Sequence, residues 1–555
     1  MRVLLSLPVI GLAAVLSGCG HSTQPVVIAP PTTDSIGGIV AGLSGTVVLQ
    51  NNGGDNLSLS SDGSFVFPVT LQPNTPYAVT VVTQPLNQVC SISNGTGTSG
   101  VAGTAVTNIA IACGLSSTAT DLWTWVGGSD HVNAPGVYST YGTAAASNTP
   151  GARRQPIAWT DPAGNFWLFG GNSVGNVGML NDLWEYGPSA GQWVWHSGSD
   201  TVGAAASYGS QGAPAASNNP GAREGSANWT DAAGNLWLFG GDSLAGQNWE
   251  EFDDLWSYNP TTGLWTWVGG SNIAANAGSY GTLGVPAASN LPPARTDAIS
   301  WVDSAGIFWL FGGAQLNSNG SYLAVLNDLW SYNPTTGLWT WVGGSNTPNA
   351  VGVYATQGTA AASNVPGARL GGSVWLDASG NVWLFGGLGL DQNGLAQEYN
   401  DLWEYNPGTG LWTWVGGSNA PNAGGAYGTQ GAGAAGNGPG ARVSAVSWTD
   451  QSGNFWLFGG YGYAQVGSLG NLNDLWEYNR GSGVWTWIGG SSSTGAPGTY
   501  GTQGISDSNN APGARAQAVG WLDSSGNFWL FGGFGFDSSD VEDDLNDLWR
   551  FTQGL

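Results

Sequence analysis

The stretch 442–488 decides the fold; its sequence is RVSAVSWTDQSGNFWLFGGYGYAQVGSLGNLNDLWEYNRGSGVWTWI. Short apolar and aromatic runs alternate with turn residues, which is typical of β-strands joined by tight turns. A Gly-Gly pair ends the second run, and a variable loop at 461–472 leads to the third. The four predicted strands cover residues 444–450, 455–458, 473–478 and 484–488.

The same unit occurs six times between residues 122 and 551. The arginine of a Pro/Gly-Ala-Arg motif recurs at a nearly constant spacing, and the Gly-Gly pair recurs in step with it. A fixed period with strand content is typical of a propeller or a solenoid, and four antiparallel strands form one propeller blade. We therefore predict an all-β chain with a six-bladed β-propeller. The repeated arginines are Arg153, Arg223, Arg295, Arg369, Arg442 and Arg515.

The order of motifs within each unit resembles the kelch repeat. Gly-Ala-Arg or Pro-x-x-Arg is followed by aromatic-Leu-Phe-Gly-Gly, then Asn-Asp-Leu-Trp-x-Tyr, then Trp-x-Trp. The six matches span residues 122–551 of the 555 in the chain. The resemblance implies a kelch-type propeller in which the first strand of each blade is innermost.

The two ends of the repeat region predict how the ring closes. Residues 122–126 form a fourth strand without its first three, whereas residues 547–551 form a third strand without a fourth. Pairing the two segments completes the last blade and removes the open edges that an incomplete blade would leave.

The N-terminus has the features of an export signal. Arg2 precedes an apolar stretch from Val3 to Leu16, which is shorter than the about 20 residues of a membrane-spanning helix. The segment 16–19, Leu-Ser-Gly-Cys, resembles a bacterial lipobox. We predict a signal peptide at 1–18, lipidation of Cys19 and a tether at 19–35. The protein is then expected to be exported and lipid-anchored in the bacterial cell envelope, at the outer membrane or cell surface.

Residues 36–114 predict a separate small β-sandwich, and the propeller follows at 115–555. Apolar residues such as Val47, Leu49, Phe65 and Phe67 alternate with other residues, and turn clusters separate the runs. Cys90 and Cys113 lie within this domain. In an exported protein they are expected to form a disulfide, the alternative being two buried free thiols.

Composition excludes some classes of partner. The formal net charge is −25, and all ten basic residues are arginines. Such a chain is not expected to bind nucleic acid or an anionic lipid surface, so membrane contact should come through the N-terminal lipid only. Of the 31 tryptophans, 30 occupy five repeated positions per unit, which predicts a packing role. Trp249 is the exception.

Two interpretations of the six repeated arginines remain open at this stage. Each could make a structural bond to a carboxylate or a carbonyl, with the repeated aspartates of the Asp450 and Asp474 type as partners. Alternatively, the arginines could form a basic ring that binds an anion at the mouth of the central channel.

Residues that do not repeat are the other binding candidates. The loops between second and third strands vary strongly and share one face with the inter-blade segments, and variable loops on a rigid scaffold usually carry specificity. The inter-blade segments carry a tyrosine at a fixed spacing before each repeated arginine, as Tyr427 precedes Arg442, and should form a packed rim. We expect a protein or glycan partner, bound without enzymatic activity. The candidate loop residues are Trp249, Glu250, Tyr322, Tyr461, Tyr463, Phe534 and Phe536.

The alternative is a carbohydrate-active enzyme of the galactose-oxidase or sugar-lyase type. Galactose oxidase has a kelch-type propeller, and its copper site implies histidine and tyrosine ligands and a crosslinked cysteine. This chain has only three histidines, His21, His131 and His196, and no cysteine after Cys113. We therefore expect no copper, no other cofactor and no catalytic residues, whereas a pocket with convergent unrepeated acids would favour an enzyme.

An acidic loop in the last repeat offers one candidate metal site. Its five carboxylates could bind calcium, and the alternative is a solvated loop. They are Asp537, Asp540, Glu542, Asp543 and Asp544.

Overall fold

The structure is a computed structural model, and its described residues are 33–43, 46–83, 88–101, 103–115, 121–173, 178–246, 248–390, 395–465 and 467–554. The predicted signal peptide and Cys19 lie outside these ranges, as does nearly all of the predicted tether. Within the described ranges the secondary structure is all β. No helix there is long and apolar enough to cross a membrane.

The chain separates into two compact units, one up to Ala119 and one from Thr120 to Gly554. The strands of the first unit are β1 Ile36–Ala41, β2 Val47–Asn51, β3 Asp55–Leu59, β4 Gly63–Val66, β5 Pro76–Thr83, β6 Gln88–Ser93, β7 Thr96–Thr98 and β8 Val106–Leu115. They form two four-stranded sheets, in the orders β4-β1-β8-β6 and β3-β2-β5-β7. Both sheets contribute side chains to one core, including Ile111 from the first and Leu49 and Val79 from the second.

The predicted disulfide is confirmed. Cys90 on β6 lies directly opposite Cys113 on β8, and their sulfur atoms are bonded. Both residues belong to the core of this unit. A crosslink of this span contributes about 3 kcal/mol in the chain-entropy model.

The second unit confirms the predicted all-β propeller class. Each repeat forms a sheet whose strands follow in chain order, apart from short extra strands. The first five sheets consist mainly of β10 Ile157–Thr160, β11 Phe166–Ser173, β12 Gly178–Gly187 and β13 Gln192–Ser197; β14 Ala227–Thr230, β15 Leu236–Phe239, β18 Leu255–Asn259 and β19 Leu264–Gly269; β20 Ile299–Val302, β21 Phe308–Phe311, β24 Leu329–Asn333 and β25 Leu338–Gly343; β26 Ser373–Leu376, β27 Val382–Leu390, β28 Ala396–Asn406 and β29 Leu411–Gly416; and β31 Val446–Thr449, β32 Phe455–Tyr463, β33 Leu469–Asn479 and β34 Val484–Gly489.

The sixth sheet is assembled from both ends of the unit. Strand β9, Leu122–Gly127, pairs antiparallel with β39, Glu542–Thr552, so that Trp123 lies opposite Phe551. The entering segment therefore supplies the fourth strand that the last repeat lacks. The other strands of this sheet are β35 Ser506–Asp507, β36 Arg515–Ala516, β37 Val519–Leu522 and β38 Phe528–Phe536.

The six sheets pack in a closed cycle. Each interface is an apolar cluster between neighbouring sheets, and the last one joins Phe166 and Trp184 of the first sheet to Trp521 and Trp529 of the sixth. The first strands of neighbouring sheets also contact one another around the same cycle. The first strand of each sheet is therefore innermost.

The variable loops are partly strands, which differs from the sequence-based prediction. The second and third strands continue past the Gly-Gly pair in several blades, and Tyr463 pairs with Leu469. The register shifts between Phe458 and Gly460, as in a β-bulge, where Gly459 has φ 63°. Two blades instead have a separate hairpin above the bulge, formed by β16 Asp242–Ala245 with β17 Asn248–Glu251 and by β22 Ala314–Leu316 with β23 Tyr322–Val325. The remaining short strand is β30 Arg442–Val443.

The repeated tryptophans join strands and blades. Trp159 on a first strand donates its indole N–H to the carbonyl oxygen of Trp237 in the next sheet. Trp456 on a second strand donates to Asp450, which also caps the preceding hairpin turn by accepting the backbone N–H of Asn454. The packing role of the repeated tryptophans follows from these contacts. Asp450 is the cap of the hairpin turn.

Candidate functional site

The repeated arginines are buried in the scaffold. The Arg442 side chain is 1% exposed, and its two terminal nitrogens donate to the two carboxylate oxygens of Asp474 at 2.7 and 2.8 Å. The guanidinium also donates to the carbonyl oxygens of Gly440 and Gly459. Tyr427 and Trp476 donate to the same carboxylate. These contacts engage four of the five guanidinium N–H groups with protein acceptors.

The other five blades repeat this cluster, which favours the structural interpretation of the arginines. None of the six guanidinium groups has more than 1% exposure, so we remove them from the candidate ligand-binding residues. The tyrosine predicted to pack in each inter-blade segment is the one that donates to the aspartate. The other arginine–aspartate pairs are Arg153–Asp182, Arg223–Asp254, Arg295–Asp328, Arg369–Asp401 and Arg515–Asp547.

A closed ring of backbone hydrogen bonds surrounds the propeller axis above these clusters. The residue two positions after each arginine donates its N–H to the carbonyl oxygen of the equivalent residue in the preceding blade, at 2.8 to 3.5 Å. All six have φ between 50° and 67°. We call this ring and the residues around it the channel mouth. The ring members are Gln155, Gly225, Asp297, Gly371, Ser444 and Gln517.

The channel mouth has a polar half and an apolar half. In each blade the residue after the arginine pairs with the residue after Gly-Gly. Polar residues occupy these positions in the first two blades, and apolar or aromatic residues predominate in the other four. The pairs are Arg154–Asn172, Glu224–Asp242, Thr296–Ala314, Leu370–Leu388, Val443–Tyr461 and Ala516–Phe534.

A cavity of about 310 Å³ opens at the channel mouth. This volume lies at the lower end of the range of small-molecule sites, about 300–1,000 Å³. Tyr322, Tyr461 and Phe534 supply aromatic surface, and both tyrosines are 39% exposed. The aliphatic lining residues are Leu370, Leu388, Val443 and Ala516, and the polar ones are Asp297, Ser444, Asn471 and Gln517.

Three unrepeated carboxylates converge on one side of this cavity. A β-carbon added to Gly225 would lie 3.1 Å from Asp297 Oδ1 and 3.3 Å from Asp242 Oδ1. The two oxygens therefore flank one point above Gly225 and lie close to each other. Glu224 is the cross-strand neighbour of Asp242. Thr296 donates to Asp242 at 2.6 Å, and Gln155 donates to both oxygens of Asp297 at 2.8 and 3.0 Å.

Burial makes these carboxyl groups weaker acids. It raises the pKa of Glu224 to about 8, with a further contribution from Asp297. The pKa of Asp242 is raised well above its ordinary value by burial and then by Glu224, and burial raises the pKa of Asp297 to about 6. Burial, followed by all three carboxylates, also raises the pKa of Tyr322. The Tyr322 hydroxyl therefore interacts electrostatically with Glu224, Asp242 and Asp297.

The structure brings together three of the seven candidate loop residues. Tyr322, Tyr461 and Phe534 line the cavity, whereas the other four do not. Trp249 packs against the neighbouring hairpin, where its backbone N–H donates to Ser318 and its ring lies beside Gly320. The remaining three are Glu250, Tyr463 and Phe536.

The acidic loop of the last repeat uses its carboxylates internally. Asp537 accepts the backbone N–H groups of Ser539, Val541 and Val132, and Asp543 accepts the amide of Asn133. No group of three or more potential ligands able to hold a metal is found among the described residues.

Sequence reasoning missed the acidic side of the mouth, although a signal was present. The residue after each repeated arginine varies from Arg154 to Glu224 to Leu370, while the Ala-Arg before it does not change. Variation inside a repeated motif marks positions that the scaffold does not require. Glu224 and Asp242 both occupy such positions, and the ring places them beside Asp297.

The fold and site define a β-propeller with a polar and aromatic pocket at one end of its channel. Among solved structures, the chain is similar to the one titled "Structure of YjhT", with a TM-score of 0.44 and 14% sequence identity. The match covers 72% of this chain and 95% of that chain. No protein-family model and no curated protein matches the chain.

Proposed function

We propose that this propeller is a binding module that takes a sugar residue of a glycan in its channel-mouth cavity. The observation that carries the proposal is the division of the cavity lining. Tyr461 and Phe534 provide aromatic surface, and Asp297, Asn471 and Gln517 provide hydrogen-bonding groups. A sugar ring presents an apolar face and a rim of hydroxyl groups, so it matches both parts. Aromatic surface with a few placed polar groups is typical of small-ligand sites.

The lining also argues against an anionic ligand. The six repeated arginines are buried and paired with aspartates, and three acids lie beside the cavity. Arg154 is the basic residue at the mouth, and its guanidinium lies 5.2 Å from the Phe534 ring and 3.9 Å from Asp544. A neutral or cationic ligand is therefore favoured.

Binding of the full chain to a glycan array, followed by calorimetry with the best ligand, tests the proposal. Tyr461→Ala and Phe534→Ala should each weaken binding at least tenfold. Leu469→Ala is the matched control, because Leu469 is an exposed apolar residue (42%) on the same hairpin as Tyr461 that does not line the cavity. Binding that survives both aromatic substitutions would refute this site.

A second candidate, a carbohydrate-active enzyme, is favoured by the convergent unrepeated acids. With a pKa of about 8 Glu224 is mostly protonated at pH 7, and with a pKa of about 6 Asp297 is mostly ionised. A general acid and a general base require such a pair. Release of reducing ends from a bound glycan by the wild-type chain, absent in Asp297→Asn, would establish this candidate. If the glycan is unchanged after prolonged incubation, the enzyme candidate is refuted and the binding module remains the proposed function.

The setting of this module is also part of the proposal. The lipobox at residues 16–19 and the disulfide between Cys90 and Cys113 both suit an exported protein. We propose a lipid-anchored protein of the bacterial cell envelope, with a kelch-type propeller displayed beyond the tether. Its partner is then a glycan outside the cytoplasm.

A further inference from the structure

We propose that the sugar bound at the channel mouth carries a free amino group, whose ammonium ion is held by Asp297 with Glu224 and Asp242 behind it. This inference rests on the proposed function and names the class of glycan, an amino sugar with an unacetylated nitrogen. The observations behind it are an unpartnered buried carboxylate, an excess of negative charge and the placement of both beside the aromatic lining.

Glu224 provides the first observation. Its side chain belongs to a residue that is only 5% exposed, and its Oε2 atom has no hydrogen-bond partner. The other oxygen accepts only a long contact, 3.5 Å, from Asn172. A buried carboxylate without partners is costly in its charged form, so it must hold a proton or meet a cation. Glu224 also interacts electrostatically with Asp297, which lines the cavity.

The charge balance at the mouth provides the second observation. Glu224, Asp242 and Asp297 form no ion pair among the described residues, since Arg154 contacts Asp544 and the repeated arginines pair with their own aspartates. Arg154 is the nearest cation, and it contacts Asp544 at 3.9 Å. Four carboxyl groups therefore surround one guanidinium, and at pH 7 Glu224 is mostly protonated. A single positive charge on the ligand would favour the ionised form of Glu224 and balance its charge.

The geometry places the contact at Asp297. This residue lines the cavity, and both its oxygens accept hydrogen bonds only from the neutral amide of Gln155. Carboxylate oxygens have about four lone-pair sites, so Asp297 keeps acceptor capacity for an ammonium group. Asp242 Oδ1 and Asp297 Oδ1 flank the same point above Gly225, so Asp242 is close enough to strengthen the attraction.

Binding of a cation here has a consequence that a neutral sugar does not share. The ammonium group favours the ionised forms of Asp297, Glu224 and Asp242, so their pKa values fall on binding and protons are released. At about pH 6 a fraction of these groups is protonated before binding, because the pKa values of Asp297 and Glu224 are raised to about 6 and about 8. An amine of the α-amino kind, with a pKa of about 7.7–8.0, is already charged at that pH and takes up no proton itself. Proton release near pH 6 therefore reports the proposed contact.

The test compares matched sugars that differ only by N-acetylation. Calorimetry on the full chain at pH 6 uses two buffers of different ionisation enthalpy. The matched pairs are the trimers of glucosamine and N-acetylglucosamine, and the pair of galactosamine and N-acetylgalactosamine. We expect at least tenfold tighter binding of the free-amino form in one pair, with proton release. Asp297→Asn should remove the preference and the proton release. Asp200→Asn, an exposed acid with the same change in charge, should leave both unchanged.

Each outcome bears on one of the two proposals. Equal binding of both members of every pair would overturn the amino-sugar inference and leave the glycan-binding function standing. A preference for the free amine that persists in Asp297→Asn would also overturn the inference, because the charge is then recognised elsewhere. If none of these sugars binds but the array identifies another neutral glycan, the inference fails alone. If no glycan binds at all, both proposals fail.

Discussion

Trp123 and Phe551 lie opposite each other in the sixth sheet, with their ring centroids 5.0 Å apart. One belongs to the entering strand and the other to the exit strand, so their pairing ties the two ends of the propeller. Trp123 also packs against Phe458 of the fifth sheet. The entering strand therefore contributes to both the closing sheet and an interface between blades.

Removal of the entering strand should open the ring. We compare a chain that begins at Thr120 with one that begins at Ser129, because the two differ by the segment that contains β9. The shorter chain should unfold at a lower temperature and be cleaved faster by protease near β39, since that strand keeps β38 but loses β9 and becomes an open edge. The loss of Trp123 alone should cost about 3–5 kcal/mol. Equal melting temperatures would show that β9 does not hold the ring closed.

Arg442 provides a test of the structural interpretation of the arginines. Arg442→Ala should destabilise the propeller by about 3–5 kcal/mol in denaturant unfolding, because it leaves the buried Asp474 carboxylate without its cation. Arg480→Ala is the control and should cost less, because the Arg480 side chain is 29% exposed and the Asp377 carboxylate with which it pairs keeps hydrogen bonds from Ser379 and Asn381. Similar losses for both variants would contradict a special role for the buried cluster.

The raised pKa of Glu224 predicts a dependence of stability on pH. The folded chain keeps a proton on Glu224 up to about pH 8, whereas an unfolded glutamate loses it near pH 4.5. Stability should therefore fall as pH rises from about 5 to 9. Glu224→Gln should flatten this fall, although Asp242 and Asp297 act in the same direction. Melting temperatures across this pH range measure the fall in stability. Asp200→Asn is the control and should show the same slope as the wild type.

The local sequence pattern predicted the scaffold well because each blade repeats the same strand and turn motifs. The cap at Asp450 follows from residues that are close in sequence. The pairing of residues 122–126 with the last strand follows from the strand that the last repeat lacks. The acidic side of the mouth does not follow in this way. Glu224 and Asp297 belong to different blades and meet only because the ring places those blades side by side. The extension of strands past the Gly-Gly bulge likewise depends on pairing between two variable segments.

The predicted lipid anchor has a direct test at Cys19. Cys19→Ser removes the thiol that the lipobox presents for modification, so the variant should remain an unprocessed precursor. Metabolic labelling with a tagged fatty acid measures the result in the expressing bacterium. The wild type should be labelled and the variant should not. Labelling of the variant would refute lipidation at this residue.

Two aromatic residues of one strand should separate binding from stability. Tyr461 and Trp456 both lie on β32, but Tyr461 is 39% exposed at the cavity whereas Trp456 is 4% exposed between the fifth and sixth sheets. Trp456→Ala should cost about 3–5 kcal/mol of unfolding free energy, because the ring is packed against Phe528 and Phe551. Tyr461→Ala should change the melting temperature little and reduce glycan binding at least tenfold. If Tyr461→Ala instead unfolds the chain, or binds as tightly as the wild type, the cavity is not the binding surface and the search should move to the first unit.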